Sequence, residues 1–510
     1  MGFKAKLKNN VTFANALSSL ILQIITIISG FIIPRLILKT FGSEVNGLIS
    51  SFNQFFGYIS LVEGGLTSVV MATLYKPLVE KDEKKISSIL KTTQKFYNKL
   101  SIVFIIYTLI ISFAYPIIFK SSFNYQYVAS LGMVLGIGLF IQYNYSLALR
   151  ILLNSDKKVY IVSWTQTCIL IINMLMFYII IKIFPNIHLL KGISGLLYFI
   201  QPVVYNYFIN KYFNIDKHAE EDKKLLKDRW NGFAISLAAF IHNNTDVVVL
   251  SFFTNFKVVS VYSVYSLVTK GLRQLVTSIS SGIVPTIGNV YAKNNIEELN
   301  EKFDAYEFFI FLMVFIFFTL GCVLINPFIT LYTADIQDIN YYNPIFGILL
   351  TISEGIYCLQ EPYTNMSYIA NKFKEIRIPV YVEAGINIVI SILLVGKIGL
   401  IGVALGTLIA MMFRLCFQVY YLKKDIMKRP IKKFIKKMLL FSTSSLIFVG
   451  ICLLIPIKNV SVLNWIIYAA IYTALCGVIF IIMSLLFYKK EISNILKRRN
   501  TKTNNKMYIN

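Results

Sequence analysis

The residues of this sequence best placed to do chemistry are ionisable groups set inside long apolar runs. Lys270 and Arg273 fall near the middle of the run 258–290, three residues apart and therefore on one face of a helix. Glu354 and Glu361, seven apart, share a face of the run 343–371. Asp246 follows Asn243, Asn244 and Thr245 in the run 231–254, Arg414 lies within 399–421, and Glu63 precedes Gly64-Gly65 within 45–74. Arg35 and Lys39 stand at the end of the first run, 12–37. A charge in hydrocarbon is costly unless it is paired or hydrated, so each of these groups is a functional candidate by position. Cations so placed could hold an anion, Arg gripping a phosphate through parallel N–H donors and Lys acting as a point charge. Carboxylates so placed could balance those cations or exchange a proton or a sodium ion, because burial raises a carboxyl pKa and a nearby cation lowers it.

Each candidate also has a plainer reading. Arg35 and Lys39 can snorkel to the outer surface. Arg414 and Glu63 can be halves of ion pairs inside one bundle, and Asp246 a permanent partner of Lys270 or Arg273. The tyrosines nearby (Tyr262, Tyr265, Tyr357, Tyr363 and Tyr368) read as packing before they read as sugar platforms. The concentration of Asp246, Lys270, Arg273, Glu354 and Glu361 in one part of the chain favours a hydrated cavity.

The elements that must position these groups are membrane helices. Hydrophobic residues make up 56% of the 510 and charged residues 15%, where a soluble domain carries about a quarter charged. Apolar runs long enough to cross a bilayer, about 20 residues, recur at 12–37, 45–74, 99–119, 124–153, 159–184, 191–211, 231–254, 258–290, 304–330, 343–371, 378–396, 399–421, 438–456 and 462–488. The expectation is an all-α integral membrane protein of about fourteen transmembrane helices. An even count places both termini on one side. Leaving out Lys99 at a span edge and Lys270, Arg273 and Arg414 in mid-span, 38 Lys and Arg fall on the side of the termini and 8 on the other, so both ends are predicted to be cytoplasmic.

The net charge of +25 lies in short tracts between apolar runs, a pattern that suits acidic lipid rather than nucleic acid. The cysteines Cys168, Cys322, Cys358, Cys416, Cys452 and Cys476 all lie in apolar runs without C-x-x-C spacing, and His188, His218 and His242 are far apart. Neither a disulfide framework nor a metal site is expected. The N-terminal run lacks a cleavage site at signal-peptide distance and is expected to be a retained first helix. The outer loops are short, the longest being 331–342. A membrane enzyme working on the outer face would lack a scaffold there, so no enzyme is expected.

The chain also echoes itself. Asn154-Ser155-Asp156-Lys157-Lys158 answers to Asn371-Lys372-Phe373-Lys374-Glu375, Tyr75-Lys76-Pro77 to Tyr291-Ala292-Lys293, and Lys191-Gly192-Ile193-Ser194-Gly195 to Gly399-Leu400-Ile401-Gly402. The period contains six spans, so the halves would be two six-helix lobes related by a pseudo-twofold axis along the membrane normal. The expected organisation is a first lobe at 1–211, a cytoplasmic linker at 212–230, a second lobe at 231–424, and a C-terminal helix pair with a basic cytoplasmic tail at 425–510.

The segment Phe31-Ile32-Ile33-Pro34-Arg35-Leu36, followed by Phe41-Gly42-Ser43-Glu44-Val45-Asn46-Gly47-Leu48, resembles the first-helix signature of polysaccharide-unit flippases. So do Asn244-Thr245-Asp246-Val247 through Phe253 with Val261-Tyr262-Ser263, where Val261 or Ser260 replaces the usual glycine, and Val284-Pro285-Thr286-Ile287. The family is the Wzx-type branch of the multidrug/oligosaccharidyl-lipid/polysaccharide (MOP) exporter superfamily, and the resemblance spans about 10–425. It implies a transporter that turns undecaprenyl-pyrophosphate-linked oligosaccharide from the inner to the outer leaflet of the cytoplasmic membrane for capsule or surface polysaccharide. Polysaccharide assembly proteins would be its partners. On this reading Lys270 and Arg273, with Arg35 and Arg414, meet the pyrophosphate. Asp246, Glu354, Glu361 and Glu63 balance charge or couple to sodium or protons, and no cofactor is needed. The rivals are a multidrug/cation antiporter of the same superfamily, a peptidoglycan or teichoic precursor flippase, and a membrane polymerase or glycosyltransferase.

Overall fold

The computed structural model describes residues 2–63, 66–119, 121–216, 218–222, 244–293, 295–427, 429–455, 457 and 461–487. The rest of the expected linker after 222, the start of the run 231–254 with Asn243, the pair Gly64-Gly65 and the basic tail after 487 lie outside the described residues. Among the described residues every regular element is helical and there is no strand.

The helices are α1 Gly2–Gly57, α2 Ile59–Glu63, α3 Leu66–Glu80, α4 Glu83–Ile118, α5 Tyr125–Ser155, α6 Val159–Ile183, α7 Ile187–Tyr212, α8 Asn244–Phe253 and α9 Phe256–Ala292. After them come α10 Ile296–Tyr332, α11 Pro344–Leu359, α12 Glu361–Ile369, α13 Phe373–Ile398, α14 Leu400–Ile426, α15 Ile431–Leu454 and α16 Val462–Phe487. Every apolar run read from the sequence lies mostly in helix where it is described, with turns or loop residues at several ends and within 45–74 at Tyr58 and 343–371 at Gln360. Among the described residues, ten helices are long and apolar enough to cross a membrane. Helix α9, which carries Lys270 and Arg273, spans 37 residues but is too polar to be one of them.

Side chains cap these helices where the chain turns. Asp82 accepts from Lys85 N at 2.9 Å, Asn186 from Leu189 N at 3.1 Å, Asn295 from Glu298 N at 3.1 Å and Asn343 from Phe346 N at 3.2 Å. Each satisfies an amide that helix geometry leaves without a partner. Two turns that the sequence pairs, at Lys157 and Asn371, share one geometry. Both residues have positive φ (60° and 56°), and the next amide reaches back to close the helix, Lys158 N to Leu153 O and Lys372 N to Ser367 O, each at 2.9 Å.

The chain divides into two compact units. The first holds Met1–Leu267, Asp335–Ile339 and Val395–Leu400. Its core is aromatic: Phe52, Phe56, Tyr97, Phe104, Tyr115, Phe177 and Tyr205 are each fully buried, with Phe52 and Tyr115 stacked at 4.2 Å. Helix α1 breaks at Gly42, whose φ of 82° suits glycine because it has no Cβ to clash. Asp338 then caps the restarted helix, accepting from Ser43 N at 2.8 Å and from Ser43 Oγ at 2.6 Å. Five residues on, Gly47 faces the backbone of α9 so closely that an added Cβ would lie 1.7 Å from Phe256 O. The two glycines of the first-helix signature therefore do different work, one in the turn and one in the packing.

The second unit holds Val268–Ala334, Asn340–Leu394 and Ile401–Asn510. Its core includes Phe303, Phe311 and Tyr363. The C-terminal pair packs on α10 through aromatic rings, Phe441 stacking on Phe480 at 5.6 Å and Phe315 meeting both. Hydrogen bonds Thr319–Ser445 (2.8 Å) and Trp465 Nε1 to Leu324 O (3.3 Å) lace it in place.

Candidate functional site

In the second unit, two polar stripes face each other. Arg273 and Ser280, seven apart on α9, lie on one face; Glu354, Tyr357, Glu361 and Asn365, at spacings of three and four along α11 and α12, form the other. Arg273 Nη1 is 3.1 Å from Glu354 Oε2, both side chains largely buried, and its guanidinium lies over the Tyr357 ring, 5.0 Å from the centroid. One helix turn or two further along, Glu361 accepts from Asn365 Nδ2 at 3.1 Å and Ser280 Oγ at 3.4 Å. Tyr306 of α10 closes the group at 2.5 Å from Ser280 Oγ. Lys270 lies one turn before Arg273 on α9 and is half-buried.

The other candidates fall elsewhere. Arg414 of α14 donates to Glu383 of α13 at 2.8 Å, with both side chains below a tenth exposed. In the first unit, Asp246 is buried and accepts from Tyr262 at 2.9 Å. Glu63 accepts from Tyr97 at 2.8 Å and from Thr67, so hydroxyls hold it. Arg35 and Lys39 converge on Asp335, at 3.5 and 3.2 Å, and remain substantially exposed.

The second unit also holds a buried ionic cluster that the sequence reading passed over. Glu307 of α10, fully buried, meets Arg429 (Nη1 at 2.9 Å), Lys437 and the Tyr363 hydroxyl. Asp304 meets Arg429 and, at 2.5 Å, Lys433. Glu307 and Glu383 lie inside apolar runs, so the criterion that selected Glu354 would have selected them too. Arg429 and Lys437 lie between the apolar runs 399–421 and 438–456, where sequence shows only loop charges. Because Glu307 and Asp304 sit on α10 and their cations lie on α15 or just before it, the cluster fastens the C-terminal pair to the unit.

What the stripes can do chemically follows from the pairings. A buried guanidinium already matched by a carboxylate is stable at rest, and it can turn to another anion if the carboxylate is displaced or protonated. Among the described residues, no group of His, Cys, Asp and Glu has the arrangement of a metal site.

The chain is a helical membrane protein with buried ion pairs and polar stripes in the midst of its helices. Its fold is the one shared by flippases and multidrug transporters of the MOP superfamily. The lipid II flippase MurJ, in an inward closed conformation, superposes with a TM-score of 0.69 at 18% identity, over 94% of this chain and 99% of that one. An inward-facing multidrug resistance MATE transporter of the MOP superfamily matches with a TM-score of 0.65 at 14% identity, over 78% of this chain and 96% of that one. A MATE transporter in complex with MaD3S matches with a TM-score of 0.57 at 13% identity, over 80% of this chain and 96% of that one. No family model matches the chain, and no curated protein matches it in sequence.

Proposed function

We propose that this protein is a flippase for polyprenyl-pyrophosphate-linked saccharide, moving oligosaccharide repeat units from the inner to the outer leaflet of the cytoplasmic membrane for surface polysaccharide assembly. The observation that carries the reading is the extent of the likeness. The flippase match runs over 94% of this chain, whereas the multidrug transporter matches leave about a fifth of it uncovered.

The physical task is to carry a diphosphate and its sugars across hydrocarbon, which neither can enter unaided. Two six-helix lobes, rocking about a central cavity and opening alternately to each side, would lower that barrier. Arg273 and Lys270 take the pyrophosphate, Arg273 exchanging the Glu354 carboxylate for phosphate oxygens. Glu354 serves as the resting counter-ion, so that the empty carrier does not expose an unmatched buried cation. Arg414 and Arg35 contribute through the field they share with Glu383 and Asp335. Asp246 and Glu361 are the groups placed to couple the cycle to sodium or protons, with Glu63 a third carboxylate in the first unit. Both termini face the cytoplasm on this reading.

A second reading, that the cargo is a peptidoglycan precursor, is favoured by the structural likeness to the lipid II flippase. Cation-directed multidrug export is disfavoured by the Lys270 and Arg273 pair on α9. The test is reconstitution into vesicles with a fluorescent undecaprenyl-pyrophosphate oligosaccharide, lipid II, or a cationic dye, read by dithionite quenching of the outer leaflet or by dye efflux. Protein-dependent movement of the oligosaccharide lipid supports the proposal, and movement of lipid II alone selects the second reading. Dye efflux without lipid movement refutes both.

A further inference from the structure

A cleft of about 580 Å³ opens in the first unit between α4, α5, α7 and the segment 213–222 that follows α7. One wall carries Lys91 and Lys95, a turn apart on α4, with Lys99 a further turn on. Amides line it too: Gln94 and Asn98 beside those lysines on α4, Asn144 on α5 and Asn206 on α7. Gln94 is held in place by its Nε2, which donates to Asn144 O at 2.7 Å. Leu90, Leu149 and Tyr145 supply an apolar flank. Cations, a cluster of amides and an apolar flank together match a phosphate carrying hydroxyls on a lipid stem.

Asp216 and Glu221 place acid in that cleft. Glu221 lies 2.5 Å from Lys95, and next to it, at the rim, Asp222 lies 2.9 Å from Lys85. Backbone anchors fix the segment: Asp216 N donates to Ser87 Oγ at 3.0 Å, and Asp222 N to Thr92 Oγ1 at 2.8 Å. The hydrogen bond from Lys95 lowers the Glu221 carboxyl pKa, against a smaller opposing desolvation, and the charges of Lys95, Lys91 and Lys99 lower it further. The lysines thus already bind one anion, an exposed carboxylate tethered to the chain. The basic tract at the start of α4, within 75–98, and the one after α7, within 211–230, are those that charge distribution assigns to the cytoplasmic side.

We propose that this cleft is a binding site for a phosphate-bearing anionic headgroup at the cytoplasmic membrane surface, and that Glu221 is a tethered competitor for it. The proposal does not depend on the cargo assigned above. A lipid phosphodiester matches a carboxylate in charge and brings further acceptor oxygens and hydroxyls, so it can displace Glu221 from Lys95 while the backbone anchors at Ser87 and Thr92 hold. Occupancy would then free the Glu221 side chain from Lys95 while the backbone stays anchored to α4, and connect surface charge on the membrane to the segment leading from α7.

The test uses the full chain in dodecyl maltoside, titrated with short-chain phosphatidylglycerol, phosphatidylcholine or soluble glycerol phosphate, and reads bound lipid by native mass spectrometry. Phosphatidylglycerol is expected to bind in preference to phosphatidylcholine. Lys91→Gln with Lys95→Gln should weaken that binding at least about ten-fold, the loss of two charge-assisted contacts, while Lys91→Arg with Lys95→Arg retains it. Glu221→Gln should tighten it several-fold, because the competitor is lost. Lys76→Gln with Lys84→Gln removes the same charge elsewhere and should leave it unchanged. Competition by glycerol phosphate at millimolar concentration would identify a soluble phosphate as a sufficient ligand, and its absence would identify the lipid as the source. Equal binding of the two lipids, a double-glutamine variant within two-fold of the parent, equal loss in the Lys76/Lys84 control, or no tightening with Glu221→Gln overturns the proposal.

Discussion

Glu383→Gln removes the carboxylate from a buried pair and leaves the guanidinium of Arg414 where it is. The two groups are 2.8 Å apart, with side chains 9% and 4% exposed. At about 4 Å between charge centres and an effective dielectric near 20, their attraction is about 4 kcal/mol, which roughly offsets the cost of desolvating both. The pair as a whole therefore adds little, but one member alone keeps its desolvation cost without the attraction. Arg414 Nε is already without an acceptor, which leaves the cation little to fall back on. Glu383→Gln is expected to lower unfolding free energy by about 3–5 kcal/mol. Glu383→Leu with Arg414→Met should return to within about 1.5 kcal/mol of the parent or exceed it. The assay is equilibrium unfolding in mixed detergent micelles, with transport in vesicles measured alongside. A Glu383→Gln variant as stable as the parent refutes the buried-pair account. A double variant that is stable but does not transport shows that Arg414 acts on the cargo or its path, and one that transports normally confines Arg414 to structure.

Four further outcomes are expected. Gly47→Ala, whose new Cβ would lie 1.7 Å from Phe256 O, should destabilise by about 1–3 kcal/mol or more, whereas Gly30→Ala, with nothing within 4 Å, should be neutral or gain up to about 1 kcal/mol; equal effects would refute the close approach of α1 to α9. A cysteine at Gln337 should react with an impermeant thiol reagent from outside intact cells and one at Lys84 should not, and the opposite pattern would reverse the orientation. Arg273→Gln should weaken pyrophosphate-lipid binding by about 1.5–3 kcal/mol, while Glu354→Gln should tighten it by freeing the guanidinium; normal export by Arg273→Gln with Lys270→Gln places the phosphate site elsewhere. Asp246→Asn should keep cargo binding and abolish dependence on the ion gradient, and gradient-driven transport in that variant removes Asp246 from coupling.

The helices were legible in the sequence because hydrocarbon imposes a one-dimensional rule. A segment that crosses a membrane must satisfy its own backbone and be apolar over about 20 residues, and both demands are met locally. The helix ends were partly legible for the same reason, since Asp82, Asn186, Asn295 and Asn343 cap through neighbours three residues away. Charge inside an apolar run was equally visible, and Lys270, Arg273, Glu354 and Glu361 could be singled out from position alone. Which charge meets which could not, because a partner is selected by packing between helices far apart in sequence. Arg273 takes Glu354, Arg414 takes Glu383, and Glu307 gathers Arg429 and Lys437 from more than a hundred residues away. Spacing says which face of a helix a side chain occupies; only the tertiary structure decides what lies opposite it. The same limit applied to the glycines of the first-helix signature, whose spacing was evident, although the turn at Gly42 and the backbone contact at Gly47 exist only once α1 has met Asp338 and Phe256.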